Sequence, residues 1–309
     1  MNSLSKIYNA LLICLICFCL LLSSIIRNIE PYKEASVSQV EKLYLPIFMY
    51  HHVKEKGLGK DTITPSEFEA DLKYLSDNHY NTITMGDLLD FVKNGKTLPE
   101  NPVILSFDDG YYSTYKNVFP LLKKYNMKIV LSIVGKTADD FSRVKDENVE
   151  YSHMSWTQLN EVLSSGLVEV QNHTYKLHSF NSIRVGCNQK KGECFEDYET
   201  SLKDDLILLQ EKIKENTGTT ANTLAYPYGA YNDNTIKIMK EIGLEAGLTC
   251  RYGVNVVSRD MNLFELRRIC RAHGTSVQEL LKKLKKQLNI ETLSSEIGSQ
   301  SEENSILYQ

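Results

Sequence analysis

Three short stretches carry side chains that folding alone does not explain. "SFDDG" at 106–110 sets Asp108 and Asp109 side by side, directly after the apolar run "NPVIL". Like charges repel, so a carboxylate pair at the end of a buried strand is a poor choice for stability. It reads either as a turn or helix cap, since Asp-Gly is a good turn signal, or as a reaction centre. "NHTYKLH" at 172–178 places His173 and His178 five residues apart, just after the strand-like "LVEV". That spacing does not share a helix face, so it is not the H-E-x-x-H zinc helix. On a loop leaving a strand, both rings can still turn to one point. Either ring alone could serve a structural hydrogen bond. Two of them with a carboxylate from another strand end suit a three-ligand metal site with open positions for water and substrate. "MYHHV" ends a further strand-like segment with His51 and His52.

Placing these residues requires a scaffold. Strand-like and helix-like segments alternate from "LPIFMYH" to "SVQELLKKLKKQL", which predicts a mainly parallel sheet or barrel. Expected strands include "PVILSF", "KIVLSIV", "LVEVQNH", "NTLAYPYG", "AGLTC" and "FELRRI". Among the expected helices, Thr64 with Pro65, and Ser155, supply N-terminal signals, and Gly95 a stop. In parallel barrels, chemistry sits where strands end and loops begin. "AYPYG" at 225–229 is one more such end. It reads as a Pro/Gly turn lined with aromatics, or as a groove wall. In the second reading Tyr226 and Tyr228 stack on sugar faces, beside Pro227, and a backbone N–H meets an oxyanion.

The 309 residues are 42% hydrophobic and 24% charged, ordinary for a globular protein. A net charge of −4 gives no case for nucleic acid. Residues 1–27 hold an uncharged run, "ALLICLICFCLLLSSII". It is longer than a usual signal-peptide core and just long enough to span a bilayer. An uncleaved membrane anchor is favoured over a cleaved signal, and either places the remainder outside the cytoplasmic membrane. Residues 28–43 read as a stalk, 44–290 as one α/β domain, and 291–309 as a disordered tail. Cys187 and Cys194 bracket a polar loop and could form a disulfide there.

Taken in order, these motifs resemble the polysaccharide deacetylases of carbohydrate esterase family 4, which share the NodB homology domain. "SFDDG", "HTYKLH" and "AYPYG" resemble the family's first, second and third motifs. "MYHHV" and "SWTQL" are similar to the branch containing poly-N-acetylglucosamine and peptidoglycan deacetylases. The resemblance covers about residues 44–290. It implies a distorted (β/α) barrel that uses a divalent metal to remove N-acetyl groups from a GlcNAc-containing extracellular or cell-wall polysaccharide. Zinc suits the ligand set; nickel, cobalt or iron are alternatives. By position, Asp108 matches the general base, and Asp109, His173 and His178 the metal ligands. The family often carries an Arg two residues before the third-motif Pro; that position is Ala225 here, and Arg268 in "LRRI" is the expected substitute. No C-terminal "LxxH" is evident, so the acid is expected at His51, with His273 as the next candidate. A catalytically inactive glycan-binding protein on the same fold is the alternative reading.

Overall fold

A computed structural model describes residues 43–181 and 183–288. The apolar run, nearly all of the expected stalk and the expected tail lie outside the described residues. Among the described residues, no helix is long and apolar enough to cross a membrane. Leu43, assigned above to the stalk, is instead the first residue of a strand.

In chain order the strands are β1 (Leu43–Leu45), β2 (Ile47–Tyr50), β3 (His52–Val53), β4 (Thr62–Ile63), β5 (Asn81–Thr82) and β6 (Pro102–Phe107). They continue as β7 (Ile129–Ile133), β8 (Val168–Asn172), β9 (Thr223–Ala225), β10 (Ala246–Tyr252), β11 (Asn255–Val257) and β12 (Leu266–Cys270). Between them run α1 (Pro65–Asp77), α2 (Met85–Asn94), α3 (Phe119–Tyr125), α4 (Gly135–Val144), α5 (Trp156–Ser164), α6 (Phe195–Thr217) and α7 (Asp233–Glu241). A last helix, α8, spans 277–288. Strands β2, β12, β10, β9, β8, β7 and β6 pair in that order, and β6 returns to β2, so the seven close into a barrel. Every pairing around it is parallel.

Side-chain alternation then sorts residues between two sides. Ile47, Ile104, Val130, Ala225, Leu248 and Leu266 share one apolar cluster and fill the barrel. Phe48, Leu105, Phe107, Leu131, Val170 and Ile269 share another with the helices and face outward. Burial on both faces explains the continuous apolar character of β6, all six residues of which are buried. Thr64, Thr84, Ser155 and Asn232 each close a reciprocal N-terminal capping box. Helix α4 was not expected from the sequence. It starts after Val134 with no side-chain cap, so its start signal is missing.

Outside the barrel, a buried polar cluster braces the strand that carries the carboxylates. Arg271 Nε donates to Asp71 Oδ2 at 2.7 Å, and the Tyr50 hydroxyl donates to the same oxygen at 3.2 Å. Tyr50 stacks on Phe107 with ring centroids 4.9 Å apart, and Phe107 immediately precedes Asp108. Removing one partner of a buried pair leaves the other uncompensated, at about 3–5 kcal/mol. Arg271→Met is therefore expected to lower unfolding stability by about that amount in urea titrations. A loss below about 1 kcal/mol, the range of an exposed ion pair, would show that the pair does not brace the barrel.

Candidate active site

Alternation along β6 places Ser106 inside, Phe107 outside and Asp108 inside the barrel. Continued extension would send Asp109 outward. It does not, because Asp109 and Gly110 take left-handed conformations, φ 71° and 75°. The turn swings the second carboxylate back over the barrel end. A side chain at Gly110 would also meet Ile133 Cγ2 at 3.0 Å, so glycine is required there.

The two carboxylates have different partners. Asp108 Oδ1 accepts from Arg268 Nη1 at 2.8 Å, and both side chains are buried. Arg268 Nη1 also donates to Ser106 Oγ at 3.0 Å, and its Nε to the Thr249 carbonyl at 2.8 Å. Pairing between β10 and β12 shifts register between Leu248 and Tyr252, and Thr249 lies in that irregular stretch. Burial alone would raise the Asp108 carboxyl, but Arg268, followed by His173, outweighs it and holds the group below its ordinary value. His51 Nε2 stands 4.0 Å from Asp108 Oδ2.

Asp109 faces the histidines. His173 Nε2 lies 3.3 Å and His178 Nε2 3.1 Å from its Oδ1. His173 Nδ1 is 2.7 Å from the Ala225 carbonyl, an acceptor only, so Nδ1 carries the proton and donates. That leaves the Nε2 lone pair directed at Asp109. His178 Nδ1 is 3.1 Å from the Tyr228 hydroxyl, which can fix the same tautomer. Buried Asp109 Oδ1 then has no hydrogen-bond donor. One ligand atom from each of the three residues falls within 4.8 Å of the others. Three electron-pair donors facing one point suit a cation, so the donor set fits a divalent metal. Without an ion a proton can take its place. Burial would lower His173 and raise Asp109, yet their mutual contact prevails, leaving His173 above and Asp109 well below ordinary values.

The other expected site residues divide. Tyr228 is at the surface, 46% exposed, and turns through φ 60°. Tyr226 cannot stack on a sugar, contrary to expectation. It is fully buried and donates its hydroxyl to the Phe264 carbonyl at 2.9 Å. Leu224 and Tyr226 are two apart and share the outer cluster beneath α6 and α7, so period-two alternation turns Tyr226 away from the barrel mouth. Pro227 is buried in the turn between Tyr226 and Tyr228. His52 stacks on Tyr111 at 3.4 Å and contacts Ser113 Oγ through Nδ1. Burial, then nearby Lys54, lowers it to about 4. His273 bonds Glu67 at the start of α1, 2.8 Å away. Cys187 is a buried free thiol, and Cys194 an exposed one whose Sγ accepts from Asp197 N; no disulfide joins them.

Sequence reasoning missed the groups that hold the histidine loop. Asp205, buried in α6, accepts the Tyr175 N–H at 2.7 Å and the Lys176 N–H at 2.9 Å. Asn172 Oδ1 accepts the Thr174 N–H at 2.8 Å, and Asn172 Nδ2 donates to the Leu206 carbonyl. The one available signal was an acid in "LKDDLILL" on the apolar face of a helix. Asp205→Ala is expected to leave the barrel folded but release the loop carrying His178. Metal affinity should fall about 10–100-fold, the usual range for a group supporting a ligand. Unchanged zinc affinity by competition titration would show that Asp205 only stabilises the loop.

Comparison with known proteins bears on the whole assembly. A family profile described as polysaccharide deacetylase matches residues 95–247. The Bacillus subtilis protein YxkH is 28% identical over 233 residues, 75% of this chain and 73% of its own. The poly-beta-1,6-N-acetyl-D-glucosamine N-deacetylase of Staphylococcus aureus is 28% identical over 207 residues, 67% of each chain. The structure of IcaB from Ammonifex degensii superposes with a TM-score of 0.62 at 27% identity, covering 74% of this chain and 92% of that one. Profile, relatives and barrel agree that residues 95–247 carry a polysaccharide deacetylase domain of the carbohydrate esterase family 4 kind.

Proposed function

We propose that this protein removes N-acetyl groups from a GlcNAc-containing polysaccharide outside the cytoplasmic membrane, using a divalent metal held by Asp109, His173 and His178. Poly-N-acetylglucosamine is the favoured substrate, because a relative at 28% identity is named for that activity; peptidoglycan is the second. The apolar run at residues 10–26 motivates membrane anchoring. The observation that carries the chemistry is the division of adjacent carboxylates, Asp108 on Arg268 and Asp109 on two imidazoles.

When bound, the metal polarises the acetamide carbonyl and makes water a stronger acid. Asp108, kept ionised by Arg268, takes a proton from the attacking water as the new C–O bond forms. The Tyr228 backbone N–H, at its left-handed turn, is offered to the oxyanion. The C–N bond then breaks, and the leaving amine must gain a proton. His51, beside Asp108 and 19% exposed, is the donor in this scheme. Acetate and a free glucosamine amine are the products.

The direct test measures metal content and acetate release by the full-length protein on poly-N-acetylglucosamine and on peptidoglycan. Oligosaccharide binding without acetate release would make it a glycan-binding protein instead. Two mutational outcomes refine the roles. Asp108→Asn and His51→Ala should each retain the metal, while turnover falls about 10²–10⁴-fold, the usual worth of a general acid or base. Loss of metal along with activity in Asp108→Asn would make Asp108 a ligand. Arg268→Met removes the group that lowers the Asp108 pKa and leaves burial to raise it. The carboxylate would then take up a proton at higher pH, so the acidic limb of kcat/KM should move upward. An unmoved acidic limb in that variant would mean that Asp108 is not the base.

A further inference from the structure

Phe180 is 72% exposed, yet hydrogen bonds flank it on both sides. The chain doubles back on itself here: Gly186 N donates to the Ser179 carbonyl at 2.9 Å, and Asn181 N to the Arg184 carbonyl at 3.2 Å. Phe180 and Val185 form an isolated antiparallel bridge. Below the turn, buried Arg184 pairs with Glu193 at 2.6 Å and donates to the Asn188 carbonyl at 3.0 Å. The Phe180 ring packs edge-on to Tyr228 with centroids 5.3 Å apart. Tyr228 in turn lies 4.7 Å from the His178 ring and contacts its Nδ1. An aromatic ring left in water adds little to folding stability. Holding one against Tyr228, which itself contacts the candidate metal ligand His178, makes sense if something apolar settles on it.

A pyranose presents such a surface: its axial C–H bonds form an apolar face while its hydroxyls stay at the edges. We propose that Phe180, with Tyr228, forms the platform for the sugar residue adjoining the one whose acetamide reacts, so that the protein favours chains over single sugars. This rests on the polysaccharide reading above. Tyr228 stands next to His178 and Phe180 beyond it, so Phe180 flanks the reacting sugar rather than covering it. A lipid surface is the other apolar occupant to consider, since Ile183 on the same hairpin is 67% exposed. The ring's lean onto Tyr228, continuous with the site, favours the sugar.

The test is the kinetics of acetate release from β-1,6-linked GlcNAc oligomers of increasing length, for wild type, Phe180→Ala and Phe180→Tyr. Phe180→Ala should raise KM on the longer oligomers about two- to tenfold, the worth of one aromatic contact, with kcat little changed. Its kcat/KM should also lose most of its rise with chain length, and Phe180→Tyr should restore both. A KM and length dependence in Phe180→Ala equal to wild type would overturn the platform while leaving the deacetylase reading intact. Unchanged kinetics with weakened sedimentation on anionic lipid vesicles would reassign the ring to a membrane surface. Failure of the wild type to release acetate from any oligomer would overturn the function and the platform together.

Discussion

Two neighbouring carboxylates stay ionised in a dry site only if each has its own positive partner. Here Arg268 supplies the first, from inside the barrel. Its guanidinium donates to Asp108, Ser106 and the Thr249 carbonyl, and its Nη2 lies 4.0 Å from Cys250 Sγ. Asp109 instead faces the imidazoles of His173 and His178. In the proposed scheme, the difference between a proton acceptor and a metal ligand therefore comes from the company of two identical side chains one residue apart. Desolvation also makes the arrangement demanding: losing the arginine would strand a buried carboxylate at a cost of several kcal/mol.

Barrel closure decides which residues can meet. Strands β12, β2 and β6 are consecutive around the wall, and they carry Arg268, His51 and Asp108. The groups proposed to handle protons thus share one side of the mouth. Strands β8 and β9 lie further round and carry His173, the loop to His178, and the turn with Tyr228. Asp109 bridges the two halves, rooted in β6 but turned toward β8. A flat sheet would leave β2 and β8 far apart. In a parallel barrel their C-terminal ends share one rim.

The scaffold and the candidate metal ligands were legible in the sequence because both leave local marks. Capping residues at Thr64 and Ser155, and unbroken apolar strands, locate the elements. Paired acids and histidines at strand ends locate the candidate ligands. Arg268 could be singled out over Arg267 by alternation alone, since Leu266 and Arg268 turn inward together and β12 reads buried, exposed, buried over Leu266–Arg268. The same rule would have corrected Tyr226, two residues from Leu224 on the outer face; aromatic character was weighed above parity. Asp205 was out of reach for a different reason. Its contacts are backbone N–H groups about 30 residues away, and no local pattern shows which loop a buried helical acid will cap.

Backbone geometry at the three strand ends carries the argument furthest. Asp109, Thr174 and Tyr228 take φ of 71°, 72° and 60°, although none is glycine. Left-handed conformations cost L-residues roughly 1–2 kcal/mol each, and a β-branched threonine is among the least suited. Each one sits at or next to a residue that must be re-aimed: Asp109 itself, His173 before Thr174, and the Tyr228 turn. An extended strand projects alternate side chains inward and outward, so it can deliver only every second residue to the barrel mouth. Reversing the chain right after the strand lets Asp109 join Asp108 on the same side, and lets His178 follow His173. The strain is offset locally. Asn172 accepts the Thr174 N–H, Gly135 N donates to the Thr174 carbonyl, and Gly229 N donates to the Tyr226 carbonyl. The unusual torsions are thus the means by which a period-two scaffold presents neighbouring residues to one point.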